Sequence, residues 1–177
     1  MEEDNEEIKH TAFHEAGHAV TGYRLHFYGY ELSIIPDDEG WTLGHHEQEG
    51  WDLTRPSAIN KIIVFYAGAE ADRLAFPGME PEGTDSDDQQ ASDLLRYVPN
   101  ETEENLRAES SRLVKENWEA ISAIAEELLE SKKLDSEEWA IIIDAIDEGG
   151  DWHKVLPNYR ESMKALRSWD PQLKPMG

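Results

Sequence analysis

The 177-residue sequence contains no cysteine, which excludes disulfides and thiolate metal ligands and leaves the redox compartment unmarked. Any zinc site must be built from His and carboxylate. Basic residues are also scarce, 16 Lys and Arg against 39 Asp and Glu, for a formal net charge of -23. Nucleic acids and anionic membranes both demand clustered Lys and Arg, so neither is expected as a partner. Solubility is the simplest account of acidity spread along the chain. Long apolar runs are missing: the longest is Ile62 to Ala69, between Lys61 and Glu70, far short of the ~20 residues that span a bilayer. The start, Met1-Glu2-Glu3-Asp4, lacks the basic and apolar regions of a signal peptide. A soluble cytoplasmic protein is the expectation. There is no Gly-rich phosphate loop ending in Lys-Ser/Thr. The length suits one domain with a real core.

What is present is His14-Glu15-Ala16-Gly17-His18. Imidazoles four apart on a helix point the same way and can share one zinc ion. A carboxylate between them can take the proton of a metal-activated water, the core of zinc-dependent peptide hydrolysis. The setting is helical: Ala12, Phe13, Ala16, Ala19, Val20 and Tyr23 recur at helical spacing across Ile8 to Phe27, with no Pro inside. A longer zinc pattern, with Gly three and His six residues past the second histidine, is excluded because those positions are Thr21 and Arg24. His26 would lie about 12 Å along the helix from His18. His10 shares the stripe of His14 and His18, but a straight stack of three cannot wrap a tetrahedral ion. His10 and His26 are therefore read as solvated surface residues.

The remaining pattern is mostly helical. Tyr30 to Pro36 alternates like a strand, Pro36 to Gly40 is turn chemistry, and Trp41 to Glu47 is a second short run, together a small hairpin whose edge could pair with an extended peptide. His45 and His46, adjacent on that strand, face opposite ways and would not chelate together. Thr54 and Pro56 open a helix with Ile59, Ile62, Ile63, Tyr66 and Ala67 on one stripe, ended by Phe76-Pro77-Gly78. Ser86 with Gln89 reads as a capping box, placing Asp87 and Asp88 in the first turn of the next helix. Leu106 to Leu129 describes one long helix or two joined ones. Asp135 with Glu138 opens another, containing Trp139, Ile142, Ile143 and Ile146 and closed by Gly149-Gly150. Residues 148–177 form a weakly specified tail that could pack through Trp152, Tyr159, Leu166 and Trp169.

These residues assemble into a resemblance. Thr11 to Val20 around the histidine pair, Ser33-Ile34-Ile35-Pro36, Leu43-Gly44, Ala67-Gly68-Ala69-Glu70-Ala71-Asp72, and the helical pattern of Leu113 to Asp135 resemble the peptidase domain of the FtsH family of ATP-dependent zinc proteases. The resemblance covers about residues 8 to 147. It implies a mainly α fold, with a zincin-like metal-site helix, a small β-hairpin or sheet and a C-terminal helical bundle, in a single domain over residues 1–177. It also implies zinc as cofactor, with His14 and His18 as ligands and Glu15 as the catalytic base. The family's third ligand is an aspartate in a Gly-x-Ser-Asn-Asp-like segment opening a helix. The matching stretch, Gly83-Thr84-Asp85-Ser86-Asp87-Asp88, is one residue longer between Gly and Ser. Alignment on the serine makes Asp88 the ligand, with Asp85 and Asp87 remaining open. Asp72 stands where the family commonly carries a glutamate that supports the metal helix, and the neighbouring family Arg is missing.

The expected function is a zinc metalloendopeptidase without its own ATPase motor. Its substrates would be peptides or unfolded proteins, loose or delivered by a separate ATPase or other partner. The alternative is a metal-bearing but inactive peptide-binding module. Intact Glu15 argues against it, since binding alone needs no general base. The oligomeric state is left open.

Overall fold

The computed structural model describes residues 2–27, 31–35, 55–81 and 83–169. Among these the element order is α1 (Glu2–Arg24), β1 (Leu32–Ser33), α2 (Arg55–Ala75), α3 (Asp85–Leu95), α4 (Glu103–Glu116), α5 (Trp118–Ser131), β2 (Lys133–Leu134), α6 (Ser136–Asp147) and α7 (Trp152–Trp169). The fold is mainly α, as the periodicity predicts.

Helices α1 and α2 form the centre because their facing stripes are made of small residues. Ala12, Ala16, Ala67 and Ala71 are fully buried, so the backbones approach closely. A Cβ on Gly17 would lie 2.5 Å from the Ala67 carbonyl oxygen and 2.7 Å from the Ala71 Cβ, so only glycine fits that crossing. Helix α1 ends at Arg24, three residues before Phe27. His26 takes a left-handed conformation with φ 67°, and the Phe27 amide donates back to the Gly22 carbonyl at 2.8 Å, the closing geometry of a helix C-terminus.

Two cores flank α2. On one side the α1 alanines pack with Ile121, Ile124 and Leu128 of α5, Trp139, Ile142 and Ile143 of α6, and Leu156 of α7. On the other, Ile62, Ile63 and Tyr66 meet Ala91 of α3 and Leu106 of α4. The Ser110 hydroxyl donates to the Ile63 carbonyl at 2.9 Å, fixing α4 against α2.

The run from Leu106 to Leu129 is two helices, broken at Asn117 with φ -110° and ψ 20°. The Asn117 side chain closes α4 by donating to the Leu113 carbonyl. It also accepts from Arg24 Nε at 2.6 Å, while the same guanidinium grips Asp147 through two bonds of 2.5 and 2.6 Å. The end of α1 is thereby tied to α5 and α6. The Asp135–Glu138 capping box of α6 forms as its residues predict.

Two features were not expected. β1 pairs antiparallel with β2, Leu32 opposite Leu134, a pairing of distant segments that local alternation does not reveal. The expected hairpin partner, Trp41 to Glu47, lies outside the described residues, as do His45 and His46. The expected loose tail contains α7, which buries Leu156 and packs Trp152 and Tyr159 on the core. Arg160 pins it by donating to Glu138 at 2.6 Å and Glu127 at 2.7 Å. Leu166 and Trp169, also expected to pack, are exposed: Tyr159 and Arg160 already meet Glu137 and Glu138 at the start of α6, and the last turns of α7 lie beyond them.

Candidate metal centre

Helix α1 presents His14 and His18 toward α2 and the start of α3. Their Nε2 atoms lie 2.9 Å apart, and Asp87 Oδ2 is 3.0 Å from the first and 3.1 Å from the second. Among the described residues this is a group of three side chains able to hold a metal ion. Three donor atoms this close can share one ion at the ~2.0–2.2 Å usual for zinc with imidazole and carboxylate.

Two further observations fit a metal. His18 Nδ1 lies 2.7 Å from the Val64 carbonyl. A proton on Nδ1 satisfies that oxygen and leaves the lone pair of the neutral ring on Nε2, aimed at the cluster. On α2, a Cβ at Gly68 would come within 2.6 Å of both Nε2 atoms. The absent side chain keeps the face of the imidazole pair clear.

The electrostatics are those of a tightly coupled cluster. Burial penalises the His18 cation, yet the Asp87 carboxylate, Glu15 and the Val64 carbonyl push its pKa up to about 9. Burial opposes the charge of Asp87, but His18 and His14 hold its carboxyl well below the ordinary carboxylate range. Glu15 is buried, and that burial raises its pKa against the pull of His18 and His14. A carboxyl with raised proton affinity beside two metal-type histidines is placed to accept and return a proton.

The structure corrects the third-ligand expectation. Asp87, not Asp88, faces the histidines, while Asp88 Oδ1 accepts from Arg107 Nη2 at 2.6 Å. The cause is the start of α3. Helical geometry begins at Asp85 with Thr84 in the cap position, so Ser86 is inside the first turn and its hydroxyl accepts from Gln90. Counting from glycine instead of serine gives the residue that faces the histidines: the resembling family segment has its aspartate four after the glycine, and Gly83 plus four is Asp87. The serine moved, and the spacing did not. Asp85 is exposed.

His10 also differs from expectation. It is 2 % exposed, stacks on Phe76 with ring centres 4.0 Å apart, and brings Nδ1 within 2.7 Å of Asp72 Oδ1. Asp72 thus ties α2 to α1 one turn ahead of His14. Alternating burial could not reveal this, since a histidine on an apolar stripe reads as solvated until its partner is known. His26 is exposed, as expected.

The sequence model of peptidase family M41 matches residues 1–102. The chain belongs to that family. An ATP-dependent zinc metalloprotease FtsH of Nitrosococcus oceani is 35% identical over 99 residues, covering 52% of this chain and 15% of that protein. Its counterpart in Acaryochloris marina is 34% identical over 98 residues, with the same shares. ATP-dependent zinc metalloprotease FtsH 2 of Petrotoga mobilis is 28% identical over 97 residues, again with the same shares. The chain therefore spans about 15% of the length of these curated relatives. The family is one of peptidases, and these relatives are named as zinc metalloproteases.

Proposed function

We propose that the chain is a zinc-dependent endopeptidase in which His14, His18 and Asp87 hold the ion and Glu15 moves the proton. The observation that carries this reading is the convergence of those three donor atoms, from α1 and the start of α3, within 3.1 Å of one another. Glu15 lies buried beside them. Bound there, zinc supplies Lewis acidity, polarising the scissile carbonyl and lowering the pKa of a water toward ~7.

The protein's own residues do the rest. Glu15 takes the proton of the attacking water and passes it to the departing amine, which its burial-raised proton affinity suits. The Val64 carbonyl holds the His18 ring in the orientation that presents Nε2. His10 and Asp72 fasten α1 to α2 just ahead of His14. A peptide-binding module without chemistry has no use for a buried carboxylate between the histidines.

Access selects the substrate class. The His14 side chain is 7 % exposed and that of Asp87 17 %, so an extended strand reaches them where a folded surface does not. Peptides and unfolded segments are the substrates, because stably folded chains open rarely. These 177 residues hold no phosphate loop, so ATP-driven delivery, where it serves this site, comes from outside them, a separate ATPase or other partner being one source. A cytoplasmic setting belongs to the same reading. No described helix is long and apolar enough to cross a membrane, and the charge of -23 disfavours nucleic acid.

The test is metal analysis with a peptide-library digest of wild type and Glu15→Gln. Both proteins should carry zinc, and the mutant should lose at least ~100-fold in cleavage rate. Equal cleavage by the two would overturn the assignment of Glu15.

A further inference from the structure

We propose that Arg107 is the positioning residue that decides which of two adjacent aspartates, Asp87 or Asp88, faces the histidine pair. The inference rests on the metal-site reading for what Asp87 does there; its own content is the rotation of α3.

Helix α3 begins without a side-chain cap. Thr84 has αR geometry, and its hydroxyl makes no capping bond. Its first turn carries Asp85, Asp87 and Asp88, and the last two are chemically identical and about 100° apart around the axis. Buried Ala91, one turn beyond Asp87, and partly buried Leu94 and Leu95 anchor the later turns of the helix on the core. At the first turn, beside the contacts of Asp87 with the histidines themselves, the directional contact is the ion pair from Arg107 to Asp88.

Arg107 is itself held from several sides. Its Nη2 donates to Asp88 at 2.6 Å and its Nε to Glu103 at 2.8 Å. Its guanidinium carbon sits 3.9 Å from the centre of the Tyr66 ring, a cation–π distance. Tyr66 is 1 % exposed and lies two residues before Gly68 on α2. The guanidinium therefore registers α3 against the same helix whose glycine faces the imidazoles. With Asp88 engaged, Asp87 is the acid turned toward His14 and His18. A planar fork fixed at both ends suits this task better than a flexible ammonium.

The test uses Arg107→Gln, Asp88→Asn, their double mutant and Arg112→Gln, whose guanidinium pairs only with Glu109 and Glu116 in the described contacts. Zinc affinity by competition titration should fall about 10-fold in each of the first two, the scale of losing a group that orients a ligand. The double mutant should fall no further than the worse single, because the two residues act through each other. Arg107→Lys should recover part of the loss, and Arg112→Gln should match wild type. Asp88 is 45 % exposed in its side chain, so Asp88→Asn keeps the test alive if Arg107→Gln fails to fold. Wild-type affinity in Asp88→Asn, or losses that multiply in the double mutant, would overturn the proposal. Should wild type bind no zinc, the metal-site reading fails by itself. The imidazole nitrogen NMR shifts of His14 and His18 in the metal-free protein then decide: matching changes in Arg107→Gln and Asp88→Asn support the inference, and unchanged shifts refute it.

Discussion

On the α1–α2 side of the proposed centre, two glycines leave no slack. A Cβ at Gly17 would lie 2.5 Å from the Ala67 oxygen, and one at Gly68 would lie 2.6 Å from both ligand nitrogens. On the α3 side an uncapped first turn is steadied by an ion pair on the neighbouring residue. The histidines are thus set by backbone contact and the carboxylate by side-chain electrostatics. The first kind of support tolerates no added atom, whereas the second tolerates rotation and is graded.

Gly68→Ala breaks the rigid side most directly. Its methyl must displace the imidazoles, so zinc affinity should fall by roughly 100-fold, the upper range for disturbing the shell around a metal. Competition titration checks this, and near-wild-type affinity would show that the histidines have room to move. Gly17→Ala comes next, because it wedges α1 from α2 without touching the ligands. Denaturant unfolding should show a loss of about 1–3 kcal/mol, as for other overpacked contacts. An unchanged midpoint would mean the crossing is looser than its small residues imply.

The same contrast explains what was legible in the sequence. The histidine pair is a local feature of one helix, with a fixed spacing of four, and the Asp135 cap with Glu138 is likewise local. Both stand where spacing predicts. The third ligand depends on where α3 starts, and Ser86 looked like a cap although the helix had begun at Asp85. One residue of error at a helix start turns a carboxylate by about 100°. His10 misled for another reason: its burial depends on Asp72, 62 positions away, and no periodicity reports a partner. The β1–β2 pairing is equally nonlocal. In the tail, the packing of Trp152 and Tyr159 was readable, but Leu156 and the point where the cover ends were not, since Trp169 is 91 % exposed.

Zinc titration of Asp87→Ala beside Asp88→Ala and Asp85→Ala tests most directly which residues make the centre. Asp87→Ala should lose at least ~100-fold in affinity, because it removes a ligand outright. Asp88→Ala should lose no more than ~10-fold, the effect of disturbing a group that only orients one, and Asp85→Ala should match wild type. Retained affinity in Asp87→Ala with sharp loss in Asp88→Ala would contradict the geometry of the site.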